Sequence, residues 1–177
     1  MLYIVTALKS EAQAFVEKYK LGKKSVDNFS IFQNKNITLI VSGIGTKRAK
    51  DATEFLIKKF ALKGGDIFIN VGICGACKIH EIGRLLKIGS IIYKERNYIL
   101  DRNAACSITC VDEEMSEHLH DIADMESFGF YEATKEIKNR HIYKIVSDHF
   151  EPDMVTKDGT KKLILNAIEN IVKEVTK

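Results

Sequence analysis

The sequence predicts an α/β fold of three layers, in which a mixed, largely parallel sheet is covered by helices on both faces. Strand-like and helix-like patterns alternate along the chain, as is typical of α/β domains. With 177 residues and no internal repeat or linker-like break, residues 1–177 are expected to form a single domain. The clearest element is a terminal helix, whose apolar face consists of Ile164, Ala167, Ile168, Ile171 and Val175.

The first half of the chain predicts a strand, a helix, a hairpin and a second helix. Residues 2–7 form a short apolar run, and Ser10 is a candidate helix cap followed by apolar residues at helical spacing. Two β-rich segments at 29–32 and 37–41 flank asparagines that suit a turn, so they predict a hairpin. Residues 46–60 place their apolar side chains on one stripe, which predicts an amphipathic helix.

The second half predicts four strands and two helices. Residues 66–72 and 89–93 are rich in Ile, Val or Phe and predict buried strands, joined by an irregular loop that contains glycines. Residues 107–111 are a weaker strand prediction, and residues 125–135 predict a helix. Residues 141–147 have alternating apolar positions and predict the last strand before the terminal helix.

The composition argues against several classes of protein. Hydrophobic residues make up 45% and charged residues 29%, which is a globular balance. The apolar N-terminal run is too short for a signal peptide or a membrane span, so a cytoplasmic location and no membrane partner are expected. The formal charge of +3 comes from basic residues interleaved with acids, as in Lys47 and Arg48 beside Asp51. A nucleic-acid partner is therefore not expected.

Four cysteines allow two interpretations. Cys74, Cys77, Cys106 and Cys110 form C-x-x-C and C-x-x-x-C pairs that could supply four thiolates to zinc in a structural module. Alternatively they are reduced and mostly buried thiols, because Cys74 and Cys110 lie at the ends of strand-like runs. The second interpretation is favoured, and no metal is expected.

Three acidic residues lie at junctions between predicted elements. Glu11 opens the first helix just after a strand, Glu126 opens another helix, and Asp148 follows the last strand. Ligand clefts of open α/β sheets form at the carboxyl ends of strands, which is where Glu11 and Asp148 are expected. Each acid alone also has a structural explanation, since acids complement helix N-termini and cap turns.

Two glycine-containing segments accompany these acids. Residues 42–45 precede a helix, and residues 70–76 end a strand with Gly72 and Gly75. Backbone amides beside glycines can closely approach a sugar or an anion. The second segment matches no P-loop, because the lysine that follows such loops is missing.

Taken in order, these segments resemble the nucleoside phosphorylase and methylthioadenosine/S-adenosylhomocysteine nucleosidase superfamily. The resemblance implies the α/β/α fold with a mixed central sheet of the phosphorylase/hydrolase type. It also implies cleavage of the N-glycosidic bond of a purine-type nucleoside. The segments that carry the resemblance are residues 7–11, 42–45, 70–76, 86–91, 124–126 and 146–148.

The resemblance also implies roles for individual residues. Asp148 protonates or hydrogen-bonds the leaving base, Glu11 activates water, and Glu126 holds ribose hydroxyls while Met125 lies against the sugar. Such a set suits a ribosyl group that passes through an oxocarbenium-like state. The other substrate-binding residues expected from the matching segments are Ile44, Gly72, Ile73, Cys74, Gly75 and Ser147.

Two other functions stay open at this point. Phosphorylases of this family generally have arginine where this chain has Asn70, which favours hydrolysis; inorganic phosphate stays a candidate co-substrate, and no cofactor is expected. Ile73 stands where a Ser or Thr hydroxyl is usual, and the segment between Tyr93 and Asp124 is shorter than in typical members. A catalytically inactive nucleoside-binding protein is therefore the other alternative. The family further implies a homodimer or higher homo-oligomer in which the neighbouring subunit lines the pocket.

Overall fold

A computed structural model describes residues 1–26, 29–116 and 119–176. A 3-10 turn at Pro152–Met154 precedes the last helix. The elements in chain order are β1 (Leu2–Thr6), α1 (Lys9–Tyr19), β2 (Gly22–Val26), β3 (Phe29–Gln33), β4 (Ile37–Val41), α2 (Thr46–Lys59), β5 (Ile67–Ala76), β6 (Leu85–Tyr93), β7 (Arg96–Ile99), β8 (Cys106–Cys110), β9 (Ile122–Asp124), α3 (Ser127–Ala133), β10 (Arg140–Asp148) and α4 (Lys157–Val175).

One mixed sheet contains all of these strands, with β5 at its centre. The order is β10-β6-β8-β9-β5-β1-β4-β3-β2, and β7 pairs with β6. Because β10 also pairs with β5, the strands β5, β10, β6, β8 and β9 close into a ring. The sheet is less parallel than expected, since the described strands make five parallel and five antiparallel pairings.

Helices cover both faces of the sheet, which confirms the predicted three layers. Side chains alternate between the faces along each strand. On β1, Tyr3 and Val5 join one apolar cluster with residues of α2 and α3. The neighbouring Ile4 joins a second cluster with residues of α1 and α4, including Phe15 and Ile168. None of the described helices is both long and apolar enough to cross a membrane.

The glycine segment after residue 72 is part of a strand, although the sequence predicts an irregular loop. β5 continues to Ala76 because it has a partner on each side. β10 runs parallel to it and pairs Lys144 with Gly72, while β9 runs antiparallel and pairs Ala123 with Gly75. These neighbours satisfy backbone groups that a loop would leave to solvent.

Other boundaries also differ from the prediction. β6 begins at Leu85 rather than at residue 89, and α3 begins at Ser127 rather than at residue 125. Asp124 sets the start of α3, because its carboxylate accepts the backbone N–H of Ser127 at 2.9 Å. The sequence does not predict β2, β7 or β9, which are short, and the first two are polar.

Candidate active site

A cavity of about 270 Å³ opens where several strands end, beside the carboxyl ends of β1, β5, β9 and β10. Gly72 lies behind its wall, since a Cβ there would be 3.0 Å from Glu11 Oε1. The other nine predicted site residues line the cavity together: Glu11, Ile44, Ile73, Cys74, Gly75, Met125, Glu126, Ser147 and Asp148. The structure thus brings together segments that are far apart in the chain.

Glu11 is a buried carboxylate held by three backbone donors. Its Oε2 accepts the N–H groups of Ala7 at 2.9 Å and Leu8 at 2.8 Å, so the loop after β1 fixes the start of α1. Its Oε1 accepts the N–H of Ile73 at 3.0 Å. Burial raises the pKa of Glu11, against the opposing effect of these bonds and of Lys144. The carboxylate is therefore fixed in place yet poorly solvated.

Lys144 is the cation of the site and is almost fully buried, with 1% of its side chain exposed. Its Nζ lies 2.7 Å from Asp124 Oδ2 and 3.9 Å from Glu126 Oε2. Burial lowers the pKa of Lys144, but the surrounding carboxyl groups outweigh burial and raise this pKa above its ordinary value. The lysine is therefore charged, and Asp124 is its main partner.

Glu126 joins the N-terminus of α2 to this charged group. Its Oε1 accepts the N–H of Gly45 at 2.9 Å, in a position where a helix N-terminus favours negative charge. Gly45 has a φ of 108°, a conformation that side chains disfavour. Burial raises the pKa of Glu126 to about 7, helped by Asp124 and opposed by Lys144. Glu126 thus titrates near neutral pH.

Asp148 lies at the end of β10 and is held by its own loop. Its Oδ1 accepts the N–H of Glu151 at 2.9 Å. Its Oδ2 is 2.6 Å from Ser147 Oγ, which also lies 3.1 Å from the carbonyl oxygen of Cys74. The hydroxyl of Ser147 has one proton for these two neighbours, so a proton on Asp148 Oδ2 would complete both bonds.

Apolar side chains line the cavity between these polar groups. Phe150 is buried and packs against Gly75, where a Cβ would lie 3.2 Å from its ring. Its φ of 61° is unusual for a residue with a side chain. Val111, Met115 and Val155 are further apolar residues of the wall, and none of them is predicted as a site residue from the sequence.

The cysteines do not form the four-thiolate arrangement. All four are free; Cys74 and Cys110 are buried, and Cys77 and Cys106 are partly buried. Burial raises the pKa of Cys110 to about 12 and also raises the pKa of Cys74, so both are thiols at neutral pH. Within the described ranges, the one group of three or more clustered metal-ligating side chains contains Cys77 and no second cysteine.

Neither Lys144 nor the role of Asp124 is predicted from the sequence. A signal was available for the lysine, since it interrupts the apolar residues of the last predicted strand, Ile142 to Val146. Charged residues are rarely fully buried without a partner, so a lysine there indicates a buried acid nearby. Phe150 follows a predicted site residue by two positions, but nothing in the sequence shows that its ring turns back toward the cavity.

The solved structures to which this chain is similar include nucleosidases. The 5′-methylthioadenosine/S-adenosylhomocysteine nucleosidase of Neisseria meningitidis superposes with a TM-score of 0.78 at 17% identity, covering 98% of each chain. The Streptococcus pneumoniae enzyme of the same name superposes with a TM-score of 0.82 at 13% identity, covering 98% of this chain and 97% of that one. Futalosine hydrolase of Helicobacter pylori superposes with a TM-score of 0.78 at 14% identity, covering 98% of this chain and 97% of that one.

No protein-family model and no curated protein matches the sequence. At identities of 13–17% the structural likeness concerns the fold, over nearly the whole of each chain. The chain therefore has the fold of these nucleosidases, in agreement with the fold expected from its ordered motifs.

Proposed function

We propose that this protein hydrolyses the N-glycosidic bond of a purine-type nucleoside. The observation that carries the proposal is the charge of the cavity wall. Its described residues include no Lys or Arg, and its acidic residues are Glu11, Glu114, Asp124, Glu126 and Asp148. Lys144, behind the wall, is already paired with Asp124. An acidic cavity suits a ribosyl group that becomes positively charged in the transition state.

The same charge argues against phosphorolysis. Inorganic phosphate is an anion and needs donors or cations that are free to bind it. Asn70, at the position where phosphorylases carry arginine, donates its Nδ2 hydrogen to the carbonyl of Val5 at 3.1 Å and does not line the cavity. Water is a neutral nucleophile and meets no such repulsion, so hydrolysis is favoured over the phosphorylase alternative.

The two proposed catalytic acids are anchored along β5 with a useful spacing. Glu11 accepts from Ile73, and Asp148 pairs in register with Gly75, two residues further along the strand. Two residues of an extended strand span roughly 6.6 Å. The two acids are therefore anchored at different points along the wall of one cavity, and we propose that water is held at Glu11 and the leaving base at Asp148.

Asp148 is proposed as the acid that protonates the departing base. Protonated on Oδ2, it would donate to Ser147 Oγ, whose own proton then reaches the carbonyl of Cys74. The neutral form therefore has a complete set of bonds. A general acid must carry its proton before the bond breaks, and this arrangement accommodates that form.

Glu126 and Met125 are proposed to hold the ribose. A carboxyl group with a pKa of about 7 can accept hydrogen bonds from sugar hydroxyls, and Gly45 fixes its orientation. Met125 supplies an apolar wall beside it. Ile73 contributes its backbone N–H to Glu11, so the absence of a hydroxyl at this position does not remove the support of Glu11.

The first substrates to test are those named for the structural neighbours: 5′-methylthioadenosine, S-adenosylhomocysteine and futalosine. All three are nucleosides that carry a substituent on the ribose. A homodimer is proposed as well, because Ile44 lines the cavity and is nevertheless 51% exposed, as expected for a rim that a second subunit covers. Analytical ultracentrifugation showing a monomer at assay concentrations would contradict the dimer.

The test is release of free base from this nucleoside panel, with and without phosphate. We expect release without phosphate, and a loss of about 10²-fold or more in Asp148→Asn. Asp153→Asn is the matched control, because Asp153 is an exposed acid of the following 3-10 turn. Release that requires phosphate would instead establish a phosphorylase. Thermal stabilisation by nucleosides without any release would establish the inactive binding protein.

A further inference from the structure

A second cluster of chemically active side chains lies where the β5–β9 ladder ends, outside the cavity. It consists of Cys77, His80 and Asp121, whose ligand atoms all lie within 4.8 Å of one another. No other group of this kind is present among residues 1–26, 29–116 and 119–176. We propose that these three side chains form a binding site for one Zn²⁺ ion, independent of the nucleoside site.

The backbone sets the positions of the three residues. Cys77 donates its N–H to the carbonyl of Asp121 at 2.8 Å, one step beyond the last paired residues of β5 and β9. His80 donates its N–H to the carbonyl of Cys77 at 3.0 Å, so residues 77–80 form a tight turn. A turn of C-x-x-H spacing places a sulfur and an imidazole side by side, as in many zinc sites. The neighbouring strand adds the carboxylate.

The side chains already converge on one point. Cys77 Sγ is 2.7 Å from Asp121 Oδ1, and His80 Nε2 is 3.2 Å from both carboxylate oxygens. Zinc bonds of about 2.0–2.3 Å place tetrahedral ligand atoms ~3.3–3.6 Å apart. The distances between the nitrogen and the carboxylate oxygens already fit, whereas the sulfur of Cys77 is too close to Oδ1, so Asp121 must move away from it. Its side chain is 63% exposed, so the movement meets little resistance.

Zinc would replace a proton at this site. The thiol of Cys77 donates its hydrogen to Asp121 Oδ1 at 2.7 Å. On binding, the S–H bond breaks, the proton leaves to solvent and the thiolate coordinates the metal. One thiolate and one carboxylate neutralise the two charges of Zn²⁺, while the imidazole stays neutral. Sulfur and nitrogen ligands favour Zn²⁺ over Mg²⁺ or Ca²⁺.

Arg84 limits the affinity of this site. Its Nη1 lies 3.5 Å from His80 Nδ1, on the side of the ring away from the cluster. A metal on Nε2 requires a proton on Nδ1, which then faces a cation instead of the usual acceptor. Arg84 is exposed and can turn away. The fourth position is open to solvent on the side of Asp121, so we expect a water ligand there.

Isothermal titration of the chelator-treated protein with Zn²⁺ tests the proposal. We expect one equivalent to bind, with about 10-fold or greater weakening in both Cys77→Ser and Asp121→Asn. Asn keeps an acceptor for the Cys77 thiol but loses the charge, so the fold should survive in that variant. Cys106→Ser is the matched control, since Cys106 is another partly buried free thiol, and should bind like the parent protein.

Co²⁺ provides a second measurement, because a coordinated thiolate gives it a ligand-to-metal charge-transfer band. The band should appear in the parent protein and in Cys106→Ser, and should be missing in Cys77→Ser. The proposal fails if the parent protein binds less than one equivalent of Zn²⁺, or if Cys77→Ser and Asp121→Asn bind as tightly as the parent. These readouts need no nucleoside, so they stand apart from the proposed hydrolysis.

Discussion

Replacing Lys144 with Met tests whether the buried cation stabilises the acids of the site. Met keeps the length and apolar stem of the side chain and removes the charge. In the wild type, Nζ lies 2.7 Å from Asp124, and both side chains are 1% exposed. The substitution therefore leaves a buried carboxylate without its ion-pair partner, rather than exposing a surface charge to water.

Lys144→Met is expected to lose a large part of its free energy of unfolding. Removing one partner of a buried ion pair costs about 3–5 kcal/mol of the free energy of unfolding. With a urea m-value of roughly 2 kcal/mol per molar, the midpoint should fall by ~1.5–2.5 M. Lys50→Met is the control, because Lys50 also pairs with an acid at 2.8 Å, on Glu132, but in a more exposed place. The urea midpoint of Lys50→Met should change little, because an exposed ion pair contributes little to stability.

The loss should also depend on pH. Lys144 lowers the pKa of both Glu11 and Glu126, so its removal raises these pKa values further above those of the unfolded chain. An acid whose folded pKa is raised takes up a proton on folding, and stability then falls as pH rises from the unfolded toward the folded pKa. The free energy of unfolding of Lys144→Met should therefore be closest to that of the wild type near pH 5 and furthest below it near pH 8.

Urea denaturation of both variants at these two pH values, followed by far-UV circular dichroism, measures the effect. A loss of less than ~1 kcal/mol of the free energy of unfolding in Lys144→Met, or an equal loss at pH 5 and pH 8, would contradict a stabilising role of the buried cation. An equally large shift of the urea midpoint in Lys50→Met would also contradict this role, because burial of the lysine would then not be the cause of the lost stability.

Three further predictions concern the same two sites. Glu126→Gln should stabilise the protein at pH 8 but not at pH 5, because Glu126 has a folded pKa of about 7 and its charged form opposes folding; equal urea midpoint changes at both values would contradict this. Gly72→Ala should reduce base release, since its Cβ would lie 3.0 Å from Glu11 Oε1 and 3.2 Å from Lys144 Nζ and would displace both side chains, whereas Gly64→Ala, which meets open space, should leave base release unchanged. Arg84→Gln should tighten Zn²⁺ binding several-fold in calorimetry, because it replaces a cation near His80 Nδ1 with a possible acceptor; weaker binding would contradict the proposed geometry.

Residues whose position follows from a local pattern were predictable. Glu11 lies in the first turn of the helix after the apolar strand β1, and Asp148 is the last residue of the apolar strand β10. Parallel strands bring their carboxyl ends to one edge of a sheet. The structure places both at one cavity for that reason. The helices were predictable on similar grounds, since α2 and α4 each carry an apolar stripe at helical spacing.

Features that depend on contacts between distant segments were not predictable from local patterns. The strand character of residues 73–76 depends on β9 and β10, which are at least 45 residues away in the chain. The turn before β7 has Lys94 and Glu95 in the left-handed region, with φ of 48° and 63°, so the usual Gly or Asn signal is missing. Asp121 joins Cys77 only because short strand β9 pairs with β5.

The arrangement around Lys144 is hard to explain as a device for stability. A buried ion pair of this kind contributes little compared with apolar side chains of similar size, since burial of both charges offsets their attraction. Glu11 and Glu126 add to the energetic cost of this arrangement, because burial disfavours their charged forms and raises the pKa of each. Yet the chain keeps a glycine at position 72, where any side chain would press on the Glu11 and Lys144 side chains. Charges kept together at such a cost, around one cavity, are better explained by chemistry carried out there than by folding.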